Sequence, residues 1–289
     1  MGEPTNLSLY TRVSRRAAAV IISEYSSSFG MAANLLSPRY RGGVRDIYGL
    51  VRVADEIVDG AAEQAGLTRD QQQAVLDGLE ADTESAIETG YSANIIVHAF
   101  ARCARDAGIG TQLTRPFFAS MRRDLHPGDF TDDELREYIY GSAEVVGLMC
   151  LALFLRDQSL SDEERQRLEN GARHLGSAFQ KINFLRDLAV DYAQLGRRYF
   201  PGIDPENVTE AEKDALVTDI EQDLAVAAAT IEALPAGCRR AVRAAYLLFA
   251  GLTLKLRETP AALLVSSRVR VTTPAKLRLV ARAMMGPTT

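Results

Sequence analysis

Ile47-Tyr-Gly-Leu-Val-Arg52-Val-Ala-Asp55-Glu-Ile-Val-Asp59 is polar along one line only. At about 100° per residue on a helix, Tyr48, Arg52, Asp55 and Asp59 fall in a narrow stripe, and Ile47, Leu50, Val53, Ile57 and Val58 take up the rest of the circumference. A helix lying on a protein surface shows the reverse pattern. The stripe is therefore predicted to line a cavity inside the protein.

The same pattern returns in Gln180-Lys-Ile-Asn183-Phe-Leu-Arg186-Asp187-Leu-Ala-Val-Asp191. Gln180, Asn183, Asp187 and Asp191 share one face, with Ile182, Leu185, Leu188 and Val190 around the others. One DxxxD usually just faces water, but two on otherwise apolar helices point to a common cavity. Four carboxylates in a low-dielectric space repel one another unless cations neutralise them or their pKa values rise. Oxygen-only ligation suits a hard cation such as magnesium, which keeps waters and phosphate oxygens in its shell, so the pattern implies a phosphorylated substrate. Neither GxGxxG nor GxxxxGK[ST] is present, which favours a diphosphate without a nucleotide.

Outward from these stripes, helical periodicity dominates and alternating β-branched runs are missing, so the fold is predicted to be all-α. Breaks at Ser37-Pro38, Gly66, Gly90, Gly108 to Gly110, His126 to Gly128, Ser159 to Ser161 and Pro201 to Pro205 divide the chain into roughly ten helices. Thr131 with Glu134 forms a capping box that opens the helix carrying Tyr138 and Gly147. No linker or fixed-period repeat interrupts residues 1–289, which are read as one domain.

The net charge of -5 argues against gripping nucleic acid through phosphate neutralisation. Cys103, Cys150 and Cys238 lie far apart without a CxxC pair, so no zinc site or disulfide framework is indicated, and a reducing cytoplasm fits. His98, His126 and His174 are scattered, which sets histidine chemistry behind carboxylate chemistry. The N-terminus lacks a signal-peptide pattern, and the longest apolar run, Val145 to Leu155, is too short to cross a bilayer. The basic and apolar stretch from Arg268 to Arg282 is read first as a solvated final helix and second as a membrane-surface element.

Together these residues resemble the squalene and phytoene synthase family of isoprenyl diphosphate synthases, from about Tyr25 to Arg268. Tyr25-Ser26-Ser27-Ser28-Phe29 is similar to the family's serine-rich segment, residues 47–59 and 180–191 to its two aspartate-rich motifs, Tyr138 to Gly147 to its central small-residue motif, and Arg197 to Pro201 to the sequence after the second motif. Three departures stand out: Glu144 where glycine is common, Val190 where an acidic residue is common, and one extra residue after Asp191.

The resemblance implies a class I isoprenoid synthase helical bundle with a central cavity, in which two allylic diphosphates join head to head. It implies metal ligation by Asp55, Asp59, Asn183, Asp187 and Asp191, with magnesium as the metal, manganese as a substitute and Glu56 as an outer helper. Diphosphate would be met by Tyr25, Ser26, Ser27, Ser28, Tyr48, Arg52, Gln180, Asn183, Arg186, Tyr246 and Arg268, and passing carbocations by the Phe29 ring. Tyr48, Arg52, Asp55, Asp59, Asp187 and Tyr246 make up the implied catalytic set.

Gly30, Ala32, Ala33, Gly141, Ser142, Ala143 and Gly147 are small, which favours the twenty-carbon geranylgeranyl diphosphate over farnesyl diphosphate, and the wording of the first motif is closer to phytoene synthases. Phytoene formation needs no NADPH. The expected location is the cytoplasm, with peripheral contact on the inner face of the membrane because the product is insoluble in water. The alternatives are a squalene or dehydrosqualene synthase, a noncatalytic member of the family, and a head-to-tail prenyltransferase or terpene cyclase. The intact carboxylates count against the noncatalytic reading, and the serine segment and central motif count against the last.

Overall fold

A computed structural model describes residues 5–126, 128–265, 268–269 and 272–285, with the side chains of Ser27, Gln194, Leu195 and Met285 outside that description. Fourteen α-helices and one π turn make up the described chain: α1 (Asn6–Tyr25), α2 (Ser27–Ala33), α3 (Pro38–Asp59), α4 (Ala61–Gln64), α5 (Arg69–Thr89), α6 (Ile95–Ala107), α7 (Thr111–Asp124), α8 (Asp132–Ile139), the π turn (Tyr140–Glu144), α9 (Val145–Leu155), α10 (Asp162–Leu195), α11 (Glu210–Ile231), α12 (Ala236–Glu258), α13 (Ala261–Leu264) and α14 (Thr273–Met285). Among the described residues the only β pairing is an isolated bridge between Asp129 and Arg198.

The count exceeds ten because several boundaries carry weak punctuation. Ser26 alone separates α1 from α2, Gly60 separates α3 from α4, and Pro235 and Pro260 precede α12 and α13. Each expected break does fall between helices. Capping boxes open α5 (Thr68 and Gln71), α8 (Thr131 and Glu134), α10 (Ser161 and Glu164) and α11 (Thr209 and Glu212), satisfying first-turn amides that have no partner within the helix.

Two buried clusters hold the bundle. Ile47, Leu50, Phe100, Phe117, Phe118, Met149 and Leu153 join α3, α6, α7 and α9. Tyr138, Ile182, Phe184, Leu185, Leu224, Leu252 and Leu256 join α8, α10, α11 and α12. Both clusters contribute walls to one cavity of about 1200 Å³, slightly above the usual range for small-molecule pockets.

Residues 132–155 run as one continuous helix of 24 residues through the π turn, long and apolar enough to span a bilayer by length and composition, but 56% of its most apolar window is buried inside the bundle. The eleven residues from Val145 to Leu155 understate this element.

Glycines let the helices approach closely. A Cβ on Gly141 would lie 2.2 Å from both the Pro116 carbonyl oxygen and Ser120 Oγ, and one on Gly147 would lie 2.7 Å from the Ala172 carbonyl oxygen. Their small size therefore serves packing of the central helix on α7 and α10. Of the small residues expected to give depth, Ala32, Ala33, Ser142, Ala143 and Gly147 line the cavity, and Gly30 and Gly141 do not. Gly141→Ala is expected to overpack this contact by about 1–3 kcal/mol and to lower the melting temperature by roughly 5 °C; calorimetry showing an unchanged melt would contradict it.

The final helix is not a freely solvated element. Ala283 is fully buried beside Ala32 and Ala244, Leu279 packs over Gly251, and Lys276 and Thr273 reach the cavity wall.

Candidate active site

Asp55 and Asp59 occupy the last turn of α3, and Asn183, Asp187 and Asp191 lie along α10; all five line the cavity, as do Tyr25, Ser26, Ser28, Phe29, Tyr48, Arg52, Gln180, Arg186 and Arg268. The Ser27 side chain lies outside the described residues. Tyr246 is not in the cavity wall. Val242, Ala245, Phe249 and Leu252 form the face of α12 turned to the cavity, and Tyr246, about 100° further round, sits half-buried against the second core.

Hydroxyls and one cation gather at the end of α1. The Arg52 guanidinium lies 4.3 Å from the Tyr25 ring centroid and pairs with Glu56. Glu56 also accepts from the Ala61 amide at 2.9 Å, so its carboxylate closes the end of α3 and holds Arg52; it does not face the cavity. Burial raises the Tyr48 phenol pKa, an effect offset by Arg52 and by a hydrogen bond with Ser26.

Arginines stand between the two acidic stripes. Asp187 is held by Arg186 (Nε to Oδ1, 2.9 Å) and by Arg268 (Nε to Oδ1, 2.6 Å). Asp59 receives both terminal nitrogens of Arg197, one of them at 2.7 Å. The same guanidinium lies 3.2 Å from the Asp124 carboxylate and donates to the Asp124 carbonyl at 3.2 Å. Asp124 also accepts from the Tyr138 hydroxyl at 2.7 Å. Among the described residues no three His, Cys, Asp or Glu side chains gather closely enough to hold a metal ion. Asp59, Asp124 and Asp187 are paired with guanidinium groups instead.

Two carboxylates of the expected metal set carry unusual pKa values. Burial pushes Asp55 up to about 7, with Arg52 opposing and Asp59 reinforcing. Burial and then Asp187 push Asp191 to about 6, with Arg197 opposing. A buried carboxylate that resists ionisation, in a set of oxygen donors facing guanidinium groups, fits a hard divalent cation arriving together with an anionic ligand.

Away from the site, burial also pushes the pKa of Asp46 to about 7 against the opposing charge of Arg15. Each of these three groups keeps a proton that the unfolded chain, with a pKa near ~3.9, has already released. Their stabilising contribution is complete below about pH 4 and is lost as pH rises through about 7. His98, whose pKa burial lowers, opposes this by favouring the folded state at higher pH. With chelator present, the chain is expected to melt several degrees lower at about pH 8 than at about pH 5.5. A melting temperature that rises over that interval would contradict this assignment.

The apolar part of the cavity carries an aromatic cluster on one wall. Phe29 lies 5.8 Å from Phe179 and 5.5 Å from Phe249, and these two stack at 3.8 Å. Phe179, Phe249, Asp124, Tyr138, Arg197 and Tyr199 all line the cavity without having been singled out as site residues from sequence. Phe179 was the accessible one, because it precedes Gln180 and lies four residues before Asn183. None of the three histidines is in the cavity wall: His98 meets Thr11 and His174 meets Asp223, each in a local network, and His126 meets Gln73.

A model of the squalene/phytoene synthase family matches residues 22–275. The 15-cis-phytoene synthase of Paracoccus sp. is 32% identical over 185 residues, covering 63% of this chain and 58% of the relative. The 4,4'-diapophytoene synthase of Staphylococcus haemolyticus is 29% identical over 181 residues, covering 62% and 59%. The chain spans about half the length of the curated relatives it matches.

A dehydrosqualene synthase crystal structure superimposes with a TM-score of 0.81 at 23% identity, covering 97% of this chain and 98% of that one. Squalene synthase HpnC from Alicyclobacillus acidocaldarius does so with a TM-score of 0.72 at 17% identity, covering 86% and 95%. These likenesses establish the helical fold, and the family match covers most of its length: the chain belongs to the squalene/phytoene synthase family.

Proposed function

We propose that the chain joins two geranylgeranyl diphosphates head to head, through prephytoene diphosphate, to give phytoene and two diphosphates. The observation that carries this reading is a cavity of about 1200 Å³ with paired aspartates and arginines at one part and alanine, leucine and phenylalanine walls elsewhere. In the first step one diphosphate and one proton leave as two carbon–carbon bonds form across a double bond of the second unit, closing a cyclopropane ring. In the second the cyclopropylcarbinyl diphosphate loses its own diphosphate, rearranges and gives up a proton. No reductant is consumed.

Asp55, Asp59, Asn183, Asp187 and Asp191 would hold magnesium, which when bound neutralises charge developing on the departing diphosphate. Arg52, Arg186 and Arg268 supply guanidinium forks suited to phosphate oxygens, and the Ser26 and Tyr48 hydroxyls lie on the Arg52 side of the same cavity. Phe29, Phe179 and Phe249 line the cavity as one cluster, and their rings, whose faces carry partial negative charge, would stabilise carbocations that pass them. Contact with a membrane that receives the hydrocarbon product, and a cytoplasmic location, belong to this proposal.

The test is incubation with magnesium and either geranylgeranyl or farnesyl diphosphate, without NADPH, followed by mass analysis of the extracted hydrocarbon. A forty-carbon product from the former supports the reading. A thirty-carbon product from farnesyl diphosphate alone would move the chain to the activity named for the diapophytoene synthase relative. Turnover of neither would leave a noncatalytic protein.

A further inference from the structure

A second pocket, of about 620 Å³, is formed by α1 up to Ala19, the first half of α3 and the middle of α6, and shares no lining residue with the cavity. Its walls carry Arg12, Arg15, Arg16, Arg45 and Arg102 together with the hydroxyl residues Thr5, Ser8 and Thr11. Leu7 and Ala19 are the apolar side chains among the described residues that line it. Five guanidinium groups in one place stand out in a chain of net charge -5, because like charges repel unless something opposes them.

Among the described residues Arg15 is the one of the five in ion-pair range of carboxylates, 3.3 Å from Asp46 and 3.9 Å from Asp106, and Arg45 lies within the field of Asp46. Arg45 reaches a neutral acceptor, Asn34 Oδ1, at 3.1 Å, and its Nε is buried without a hydrogen-bond partner. Among the described residues no carboxylate lies within ion-pair range of Arg12, Arg16 or Arg102. The first turn of α1, twenty residues long and capped by Thr5, adds the positive end of its dipole. Planar guanidinium forks with hydroxyls between them match phosphate oxygens.

We propose that this pocket binds a phosphate-bearing ligand, its phosphoryl oxygens held between Arg12, Arg16, Arg45 and Arg102. The proposal is independent of the reaction assigned to the cavity. The phosphate has two available sources: a soluble diphosphate, or the headgroup of an anionic phospholipid. The exposed Leu9, Val13 and Val20 on the neighbouring face of α1 are compatible with the second.

The full chain is compared with Arg12→Gln/Arg16→Gln/Arg102→Gln, whose replaced side chains are exposed or half-buried, and with the single variant Arg102→Glu should the triple variant fold poorly. In the first arm inorganic diphosphate is titrated calorimetrically without magnesium. The wild-type chain is expected to take up one more equivalent than the triple variant, or to bind that equivalent about tenfold or more tightly. In the second arm, flotation with phosphatidylglycerol vesicles is compared with phosphatidylcholine vesicles. Selective flotation of wild type, lost in the variants, identifies the headgroup as the source. A difference in either arm sustains the proposal and names the source; variants that match wild type in both overturn it.

Discussion

Asp55→Asn is expected to reduce hydrocarbon formation by about 10³-fold or more, equivalent to roughly 4 kcal/mol of transition-state stabilisation, while leaving the metal-free chain at least as stable as wild type. The two halves of this expectation have one origin. Burial resists ionisation of Asp55, and the guanidinium that opposes this, Arg52, is itself paired with Glu56. Under the proposed function, a carboxylate so placed costs the empty fold stability and acts only with a cation bound, so the neutral isostere should remove the cost together with the activity. Product analysis and calorimetry on one preparation check both. Turnover within tenfold of wild type would remove Asp55 from the metal set, and a large loss of stability would show that its charge supports the fold.

Arg197→Met should have the largest effect on stability. Arg197 and Asp124 are 6% and 5% exposed, and the guanidinium meets Asp59, Asp124 and the Tyr199 hydroxyl together. Removing it strands a buried carboxylate, at about 3–5 kcal/mol and on the order of 10 °C in melting temperature. Arg197→Met combined with Asp124→Asn should recover much of the loss, and the double-mutant cycle measures how much. Magnesium with diphosphate should raise the melting temperature of Arg197→Met by more than that of wild type if the freed carboxylates then bind cation. Equal shifts in the two proteins would show that Arg197 plays no part in balancing these carboxylates.

The two acidic stripes were legible because period alone decides which side chains share a helix face, and each stripe stood out against apolar surroundings. The boundary at Ser37-Pro38 and the capping box at Thr131 were legible for similarly local reasons. Asp124 was not, because a single aspartate between Arg123 and Leu125 reads as the ordinary end of a helix. Only the approach of α8 and the segment after α10 reveals that it is buried between Tyr138 and Arg197. Tyr246 lies outside the cavity wall: its helix has a cavity-facing side three residues away at Phe249, and sequence alone does not fix which side of α12 faces inward. Glu144 departs from the family's usual glycine without disturbing the cavity, since its carboxylate turns to Arg173 at 2.7 Å.

The π turn at Tyr140–Glu144 sets the phase of the central helix. Tyr138, Ser142, Val146, Cys150 and Phe154 all front the same cavity. Sixteen steps of a uniform α-helix at about 100° each would leave Phe154 about 160° out of phase with Tyr138. The extra residue in the π turn takes back about 100° of that drift, so four turns of side chains keep nearly one bearing. Deleting any one residue between 140 and 144 would relax the turn to ordinary α-helix and rotate the preceding segment, carrying the Tyr138 hydroxyl away from Asp124. The number of residues in this motif is thus constrained independently of the close contact that fixes Gly141 as glycine.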